Sequence, residues 1–385
     1  MSADPVAPKS DALRVVIVGG GVAAMETALA LSDLAGERID VKVIAPNAEF
    51  VYRPEVVREP FAGAMASRYP LARIVEGAGA TLLCDELAWI DRARQTIHTK
   101  AEEAIEYDAL VLCLGASTSE RYKHAITIDD RDLDESMHGL IQDVEGGYVH
   151  KLAFVAAGQM AWPLPLYELA LMTAGRARDM GIEVEITIVT PEDSPLAIFG
   201  SFASSSVAAL LAQAGIEMVG SAYVEVPSAG EVVISPGDRR LSVDRVVALP
   251  ELFGPEVRGI PLGEHGFIRV DRYCRVPNTE HIYAAGDATD FPIKHGGIGS
   301  QQADVVAESV AALAGAPLTP ERFDPTIQAM LLTDAEPVYL TAHLTGGDGR
   351  SSEIADAPTW SPPGKLVAKY LSPYLQALDR EIAAV

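Results

Sequence analysis

The feature that most constrains this chain lies near its start, in the run VVIVGGGVAAMETALALS over 15–32. Arg14 to Val18 is a continuous β-branched segment that runs into three glycines, and these lead into a helical pattern from Val22 to Leu34. An uninterrupted Val/Ile run suits a strand covered on both faces. Gly19, Gly21 and Ala24 fall on the spacing G-x-G-x-x-G/A. The first small residue permits a tight turn, the second lets a pyrophosphate approach the backbone, and the third lets helix and strand pack closely. A helix starting at Val22 and Ala23 offers unbonded N–H groups and the positive end of its dipole to phosphates. The second strand, Val41 to Ala45, closes a β-α-β unit of about 30 residues. The competing reading is a tight β-α turn with no ligand.

Further along, Tyr107 to Leu114 is another apolar strand and stops at Gly115. A second α/β block follows: strand Leu152–Ala156, helix Leu164–Met180, strand Glu185–Thr190, helix Ser201–Ala214 and strand Ile216–Val219. His281 to Ala314 reads as strand, turn and long helix, and the strand delivers the pair Gly286-Asp287. An aspartate at a strand end can accept hydrogen bonds from sugar-like hydroxyls, although it is also a common turn former.

These pieces have a known order. VVIVGGGVAAMETAL, EFVYRP (49–54), YDALVLCLGA (107–116), IYAAGDATD (282–290) and KHGGIGSQQAD (294–304) resemble the FAD-dependent pyridine nucleotide-disulfide oxidoreductase superfamily, which carries two dinucleotide-binding domains. Within it the nearest likeness is to sulfide:quinone oxidoreductases, type II NADH dehydrogenases and the flavoprotein subunit of flavocytochrome c sulfide dehydrogenase. The resemblance covers roughly residues 14 to 315. It implies an α/β fold: two Rossmann-like three-layer domains, the second inserted in the first, plus a small C-terminal region. The implied divisions are a disordered tail at 1–12, an FAD-binding domain at 13–120 and 255–315, a second dinucleotide-fold domain at 121–254, and a C-terminal region at 316–385.

The resemblance also implies site residues. FAD would be held by Gly19, Gly21, Val22, Ala23, Ala24, Gly115, Gly286 and Asp287, with Tyr52 and Arg53 lining the flavin cleft. The backbone near Gly297 and Ile298 would face the flavin pyrimidine, where a helix N-terminus favours negative charge. Lys294, just before that helix, would add its own charge. Gln301 and Gln302 occupy the region of a quinone-lining Gln in type II NADH dehydrogenases. In WPLPLYELAL (162–171), Trp162 and Tyr167 could stack on a planar substrate. Glu168 is the one charge in that run. It is read either as a buried proton donor or acceptor or as a group on the solvent side of its helix.

Two features depart from the family pattern. The acid that usually holds the adenosine ribose ends the second strand. Here that position is Ala45, leaving Asn47 or Glu49 to serve. The turn after the strand near 152–156 has one glycine with Trp162 and Pro163, and the acidic position after the next strand is Thr190. Both changes argue against conventional NAD(H) binding there. The three cysteines, Cys84, Cys113 and Cys274, form no Cys-x-x-Cys pair and avoid the windows where the sulfide-oxidising relatives place redox cysteines.

The functional expectation is therefore an FAD-dependent two-electron oxidoreductase that passes electrons from a small-molecule donor to a small acceptor, with a quinone as candidate. An NAD(P)H dehydrogenase and a non-catalytic FAD-binding redox sensor are the alternatives. With 54 Asp and Glu against 30 Lys and Arg, the net charge of −24 disfavours nucleic acid as a partner. No metal cluster is expected. The N-terminal stretch has no apolar core of a secretory signal and no run of 18 apolar residues occurs, so a cytoplasmic location is expected. The apolar stripe over 365–385 reads as packing onto the protein's own body or a homodimer partner ahead of a membrane surface.

Overall fold

The computed structural model describes residues 12–61, 65–129, 131, 133–158, 162–345 and 348–383. The expected loose tail at 1–12 lies almost wholly outside them. The first domain opens with β1 (Leu13–Val18), α1 (Val22–Leu34) and β2 (Ile39–Ile44), followed by α2 (Leu71–Gly77), β3 (Thr81–Leu83) and β4 (Ala109–Leu112). The chain then forms α3 (Leu133–Glu145), β5 (Lys151–Val155), α4 (Leu164–Asp179), β6 (Glu185–Val189), α5 (Ser201–Gln213), β7 (Ile216–Val219) and β8 (Arg245–Ala248). It returns through β9 (Ile282–Ala284) and α6 (Gly296–Leu313), then runs through β10 (Thr326–Leu331), β11 (Val338–Thr345), β12 (Asp348–Ala355) and α7 (Leu371–Ala383).

The first sheet has the order β9-β4-β1-β2-β3, and all its pairs are parallel. Alternation along β1 divides its side chains between two cores. Val15 and Ile17 pack with α1, α2, α6 and α7. Val16 and Val18 pack with a small antiparallel sheet formed by Leu87–Asp91, Thr96–Thr99 and Ala104–Glu106. The three layers are thus helices, parallel sheet and antiparallel sheet, which is why β1 is apolar at successive positions.

The second domain repeats this plan. Its parallel sheet has the order Ile126–Thr127, β8, β5, β6, β7. Leu152 and Phe154 face α3, α4 and α5, while Ala153 and Val155 face a second antiparallel sheet spanning Tyr223–Ser228, Glu231–Ser235 and Arg239–Ser242. Two short strands connect the domains, and Ser117 pairs antiparallel with Phe253.

The C-terminal region completes both cores. Ile327, Ala329, Leu331 and Leu340 from β10 and β11 pack with α4 of the second domain. Leu371, Leu375 and Leu378 of α7 are buried against the first domain. The apolar stripe of the tail is therefore used internally. No described helix is long and apolar enough to cross a membrane.

Candidate active site

A cleft of about 1300 Å³ runs along the carboxyl ends of β1, β2, β4 and β9 and continues to the second domain. In the first sheet the chain leaves β1 for β2 on one side and adds β4 on the other, which makes the crevice between them the expected ligand position. Gly19 turns at φ +131°, and a Cβ there would sit 2.1 Å from the Cys113 carbonyl oxygen. A Cβ at Gly21 would meet nothing within 4 Å because that position opens onto the cleft. The helical ladder of α1 begins with Met25 N–H donating to Gly21 O at 3.0 Å, and no side chain caps the helix. The N–H groups of Val22, Ala23 and Ala24 precede that ladder.

Small residues bring three elements together here. A Cβ at Gly286 would lie 3.0 Å from Ala23 Cβ, and one at Gly299 would lie 3.1 Å from Gly286 Cα. Helix α6 begins where these meet. Its ladder starts with Gly299 N–H to His295 O at 2.9 Å, and it has no side-chain cap. The N–H groups of Gly296, Gly297 and Ile298 are consequently left outside the ladder. Gln302 does not reach the cleft, because its Oε1 accepts from Gly286 N–H at 2.8 Å and so pins the turn that carries Asp287.

Lys294 lines the cleft, but its side chain is buried. Its ammonium donates to the Thr289 carbonyl and stands 3.9 Å from the centroid of Phe267. Burial pulls its pKa down to about 8 against the opposing pull of Asp287 and Asp290.

At the far end α4 and the turn before it bring in Trp162, Leu164, Pro165 and Glu168, and β10 adds Ala329 and Met330. Glu168 is buried, at 1 % exposed, which rules out a place on the solvent side of its helix, and it is ion-paired. Lys365 donates to its two oxygens at 2.7 and 2.8 Å, and Leu332 N–H donates at 2.9 Å. Desolvation raises the Glu168 pKa in spite of Lys365, and burial lowers that of Lys365. His295 also lines the cleft, with its ring 4.5 Å from that of Trp162. Burial, aided by the Lys365 charge, pulls its pKa down to about 4, so the imidazole is neutral at pH 7.

Other expected site residues lie elsewhere. The Tyr52 hydroxyl accepts from Leu366 N–H at 2.9 Å and is outside the cleft lining, whereas Arg53 is within it. Tyr167 is buried and donates to Glu192 Oε2 at 2.6 Å. Gln301 spans Gly297 O at 3.0 Å and Thr326 O at 2.8 Å, tying α6 to β10. Gly115 lines the cleft at φ +71°. Asn47 and Glu49 both line the cleft, as do Asp85 and Glu86.

The donor set fits FAD. Uncapped first turns of α1 and α6 bracket the cleft, Gly21 leaves room for a pyrophosphate at the first, and Asp287 stands between them. Of the three cysteines only Cys113 lines the cleft, and burial pushes its thiol up to about 12. Among the described residues no group of His, Cys, Asp or Glu could hold a metal ion.

The second domain's turn differs from a bare glycine turn at its described residues. A Cβ at Gly158 would lie 2.9 Å from Tyr223 Cε1, so the Tyr223 ring lies against Gly158. Pro163 and Pro165 remove N–H groups from the start of α4. Glu192, two residues past Thr190, turns inward to Tyr167 and to Ala197 N–H at 3.3 Å. Residues 159–161 of this turn lie outside the described set.

The family model described as pyridine nucleotide-disulphide oxidoreductase matches residues 13–310. Rhodocoxin reductase from Rhodococcus erythropolis is 27 % identical over 301 residues, which is 73 % of this chain and 66 % of that protein, just under two thirds of its length. Among solved structures, the sulfide:quinone oxidoreductase from Aquifex aeolicus superposes with a TM-score of 0.78 at 20 % identity, covering 90 % of this chain and 87 % of the other. A NAD-dependent persulfide reductase from A. fulgidus superposes with a TM-score of 0.63 at 19 % identity, covering 87 % and 65 %. At these identities the structural likeness is one of fold.

Proposed function

Because the chain belongs to the pyridine nucleotide-disulphide oxidoreductase family and is an FAD-dependent oxidoreductase, we propose that it passes two electrons to a planar, largely apolar acceptor of the quinone class. The observation that carries this reading is the far end of the cleft. Val56, Val57, Leu133, Trp162, Leu164 and Met330 form an apolar wall, and the Glu168–Lys365 ion pair stands among them. Such a chamber suits a ring system with few polar atoms.

FAD supplies the two-electron chemistry when bound. The chain's own groups hold it, exclude water and manage charge and protons. The first turns of α1 and α6 and the Lys294 ammonium favour negative charge along the cleft. Reduction of a quinone to a quinol takes two electrons and two protons. Glu168 and Lys365 are the buried proton-holding groups beside that chamber, and each sets the charge state of the other.

A dithiol route lacks support because no second cysteine joins Cys113 at the cleft. A nicotinamide route is disfavoured by Tyr223 over Gly158 and by the inward turn of Glu192.

The test begins with flavin reduced anaerobically by dithionite, to which a short-chain benzoquinone is added. Rapid, saturable return of the oxidised flavin spectrum is expected. Reduced flavin that stays inert to the quinone would overturn the reading and favour a redox sensor.

A further inference from the structure

Glu26 is fully buried on α1, and its two oxygens accept from the N–H groups of Tyr370 and Leu371 at 2.9 and 2.6 Å. It lies one turn past Val22, which lines the cleft. Ser300 and Asp304 lie one and two turns past Gly296, which also lines the cleft. Their spacing puts both on one face of α6, and both hydrogen-bond to Glu26. A Cβ at Gly296 would meet Leu366 Cδ1 at 3.0 Å and Val22 Cγ2 at 3.9 Å. The strap 365–371 therefore rests on α1 and α6 together, and Glu26 is where all three segments are fastened.

Two carboxyl groups cannot hydrogen-bond to each other while both are ionised, because neither has a donor. Asp304 Oδ1 shows the consequence: it is sealed from solvent with no hydrogen-bond partner. Buried polar atoms are ordinarily satisfied, and a single proton satisfies this one. Glu26, already held by two N–H groups, is the better carboxylate. Asp304 as the acid has a hydroxyl to donate to it. Burial, and then the Glu26 charge, push the Asp304 pKa up to about 8. Glu308, one turn on along α6, works in the same direction, and Lys369 of the strap works against it. Lys369 also stands 5.0 Å from the centroid of the Tyr370 ring, whose hydroxyl donates to Asp33 of α1 at 3.4 Å.

We propose that Asp304 and Glu26 share one proton, and that this acid–carboxylate bond is a pH-sensitive latch holding the strap against α1 and α6, so that raising the pH speeds the release of FAD. The sign follows from where Asp304 ionises. Latched, it keeps its proton up to about pH 8. With the strap lifted it meets water and ionises near its ordinary value of about 3.9. Between those values only the lifted form gives up the proton, so rising pH draws the protein towards it. Above about pH 8 both forms are ionised and the effect levels off.

The experiment dilutes FAD-loaded protein at pH 5 to 9 and follows flavin release by fluorescence, calibrated with free FAD at each pH. The release rate should rise roughly tenfold between pH 5 and pH 8, as for one lost hydrogen bond, and then level off. Asp304→Asn puts an amide N–H in place of the acid and has nothing to titrate. Its release should stay at the wild-type pH 5 rate throughout. Exchange of the Tyr370 and Leu371 amide hydrogens, corrected for the intrinsic rate at each pH, should show the same rise in the wild type and none in the variant. Measured on the wild type alone, that exchange tests the latch even where Asp304→Asn fails to fold. Release and exchange that do not vary with pH would overturn the proposal. So would a rise of equal size in Asp304→Asn, which would assign the effect to another group such as Lys294, whose charge fades near pH 8.

Discussion

Replacing Lys365 by Met should be among the most damaging single changes away from the FAD turn. Lys365 and Glu168 are 6 % and 1 % exposed at the side chain, and both carboxylate oxygens take a hydrogen bond from Nζ. Lys365→Met keeps the apolar stem and leaves Leu332 N–H, at 2.9 Å, as the carboxylate's remaining hydrogen bond. Removing one partner of a buried pair costs about 3–5 kcal/mol, because the other charge is left uncompensated. At roughly 2 °C per kcal/mol the apparent Tm should fall by about 6–10 °C, followed by circular dichroism with saturating FAD. The double change Glu168→Gln/Lys365→Met removes both charges and keeps an acceptor for Leu332 N–H, so it should regain most of the loss. The sign with pH follows from Glu168. Its pKa is already raised in the folded protein, and losing Lys365 raises it further. Below an unfolded value of about 4.3 both states carry the proton and no penalty exists. Above it the unfolded chain ionises while the folded carboxyl holds its proton, so stability falls as pH rises towards the folded pKa. The single variant's deficit relative to the double should therefore be smaller at pH 5 than at pH 8. A loss under about 1 kcal/mol, or a deficit that grows on acidification, would refute the argument.

Three further outcomes are expected. Gly21→Val should abolish FAD binding, measured as flavin per chain after purification, because its side chain would enter the open space that Gly21 leaves. NADH at millimolar concentration should reduce the flavin slowly and with weak saturation in stopped flow; a micromolar constant would show that Tyr223 and Glu192 do not obstruct the second crevice. Lys294→Met should lower the flavin midpoint potential by roughly 20 mV, the equivalent of about 1 kcal/mol for a two-electron couple, at unchanged FAD content. That difference should fade above about pH 8, where Lys294 itself loses its charge.

The parts of the fold that were legible in the sequence are those fixed by local pattern. Helix α1 runs from Val22 to Leu34 as its glycine start and apolar spacing require, and β7 spans Ile216–Val219 as expected. Helix α3 is not anticipated above, although Leu133, Met137, Leu140, Ile141 and Val144 carry a helical period and are buried. Asp, Gly and His within a mixed polar stretch mask that period until its apolar positions are counted. The cleft was legible where glycine lines it, at Gly19, Gly21 and Gly286, because glycine announces itself. Long-range side-chain pairing was not. Lys365 stands 197 residues from Glu168, and nothing near it in the chain names its partner. Tyr52, Tyr167, Gln301 and Gln302 lie close to the cleft in sequence logic, yet each spends its polar group on the protein's own structure. Polar residues near a site first satisfy the elements that build it.

The segment after β12 explains why the cleft keeps its shape without a disulfide. Lys365 reaches α4 of the second domain, and the next residue donates its N–H to Tyr52 of the first at 2.9 Å. A few residues on, Tyr370 and Leu371 N–H groups donate to the buried Glu26 of α1 at 2.9 and 2.6 Å. The same short stretch thus fastens both domains across the cleft they share. A buried ion pair is a weak source of stability compared with apolar packing, but any other register would leave two charges unpaired in an apolar wall. The pair therefore acts as a register pin. It fixes where the strap crosses, which sets Leu366 and Val367 against Gly296 and Gly297 at the first turn of α6. The helix start that lines the cleft is accordingly held from behind by residues of the C-terminal region.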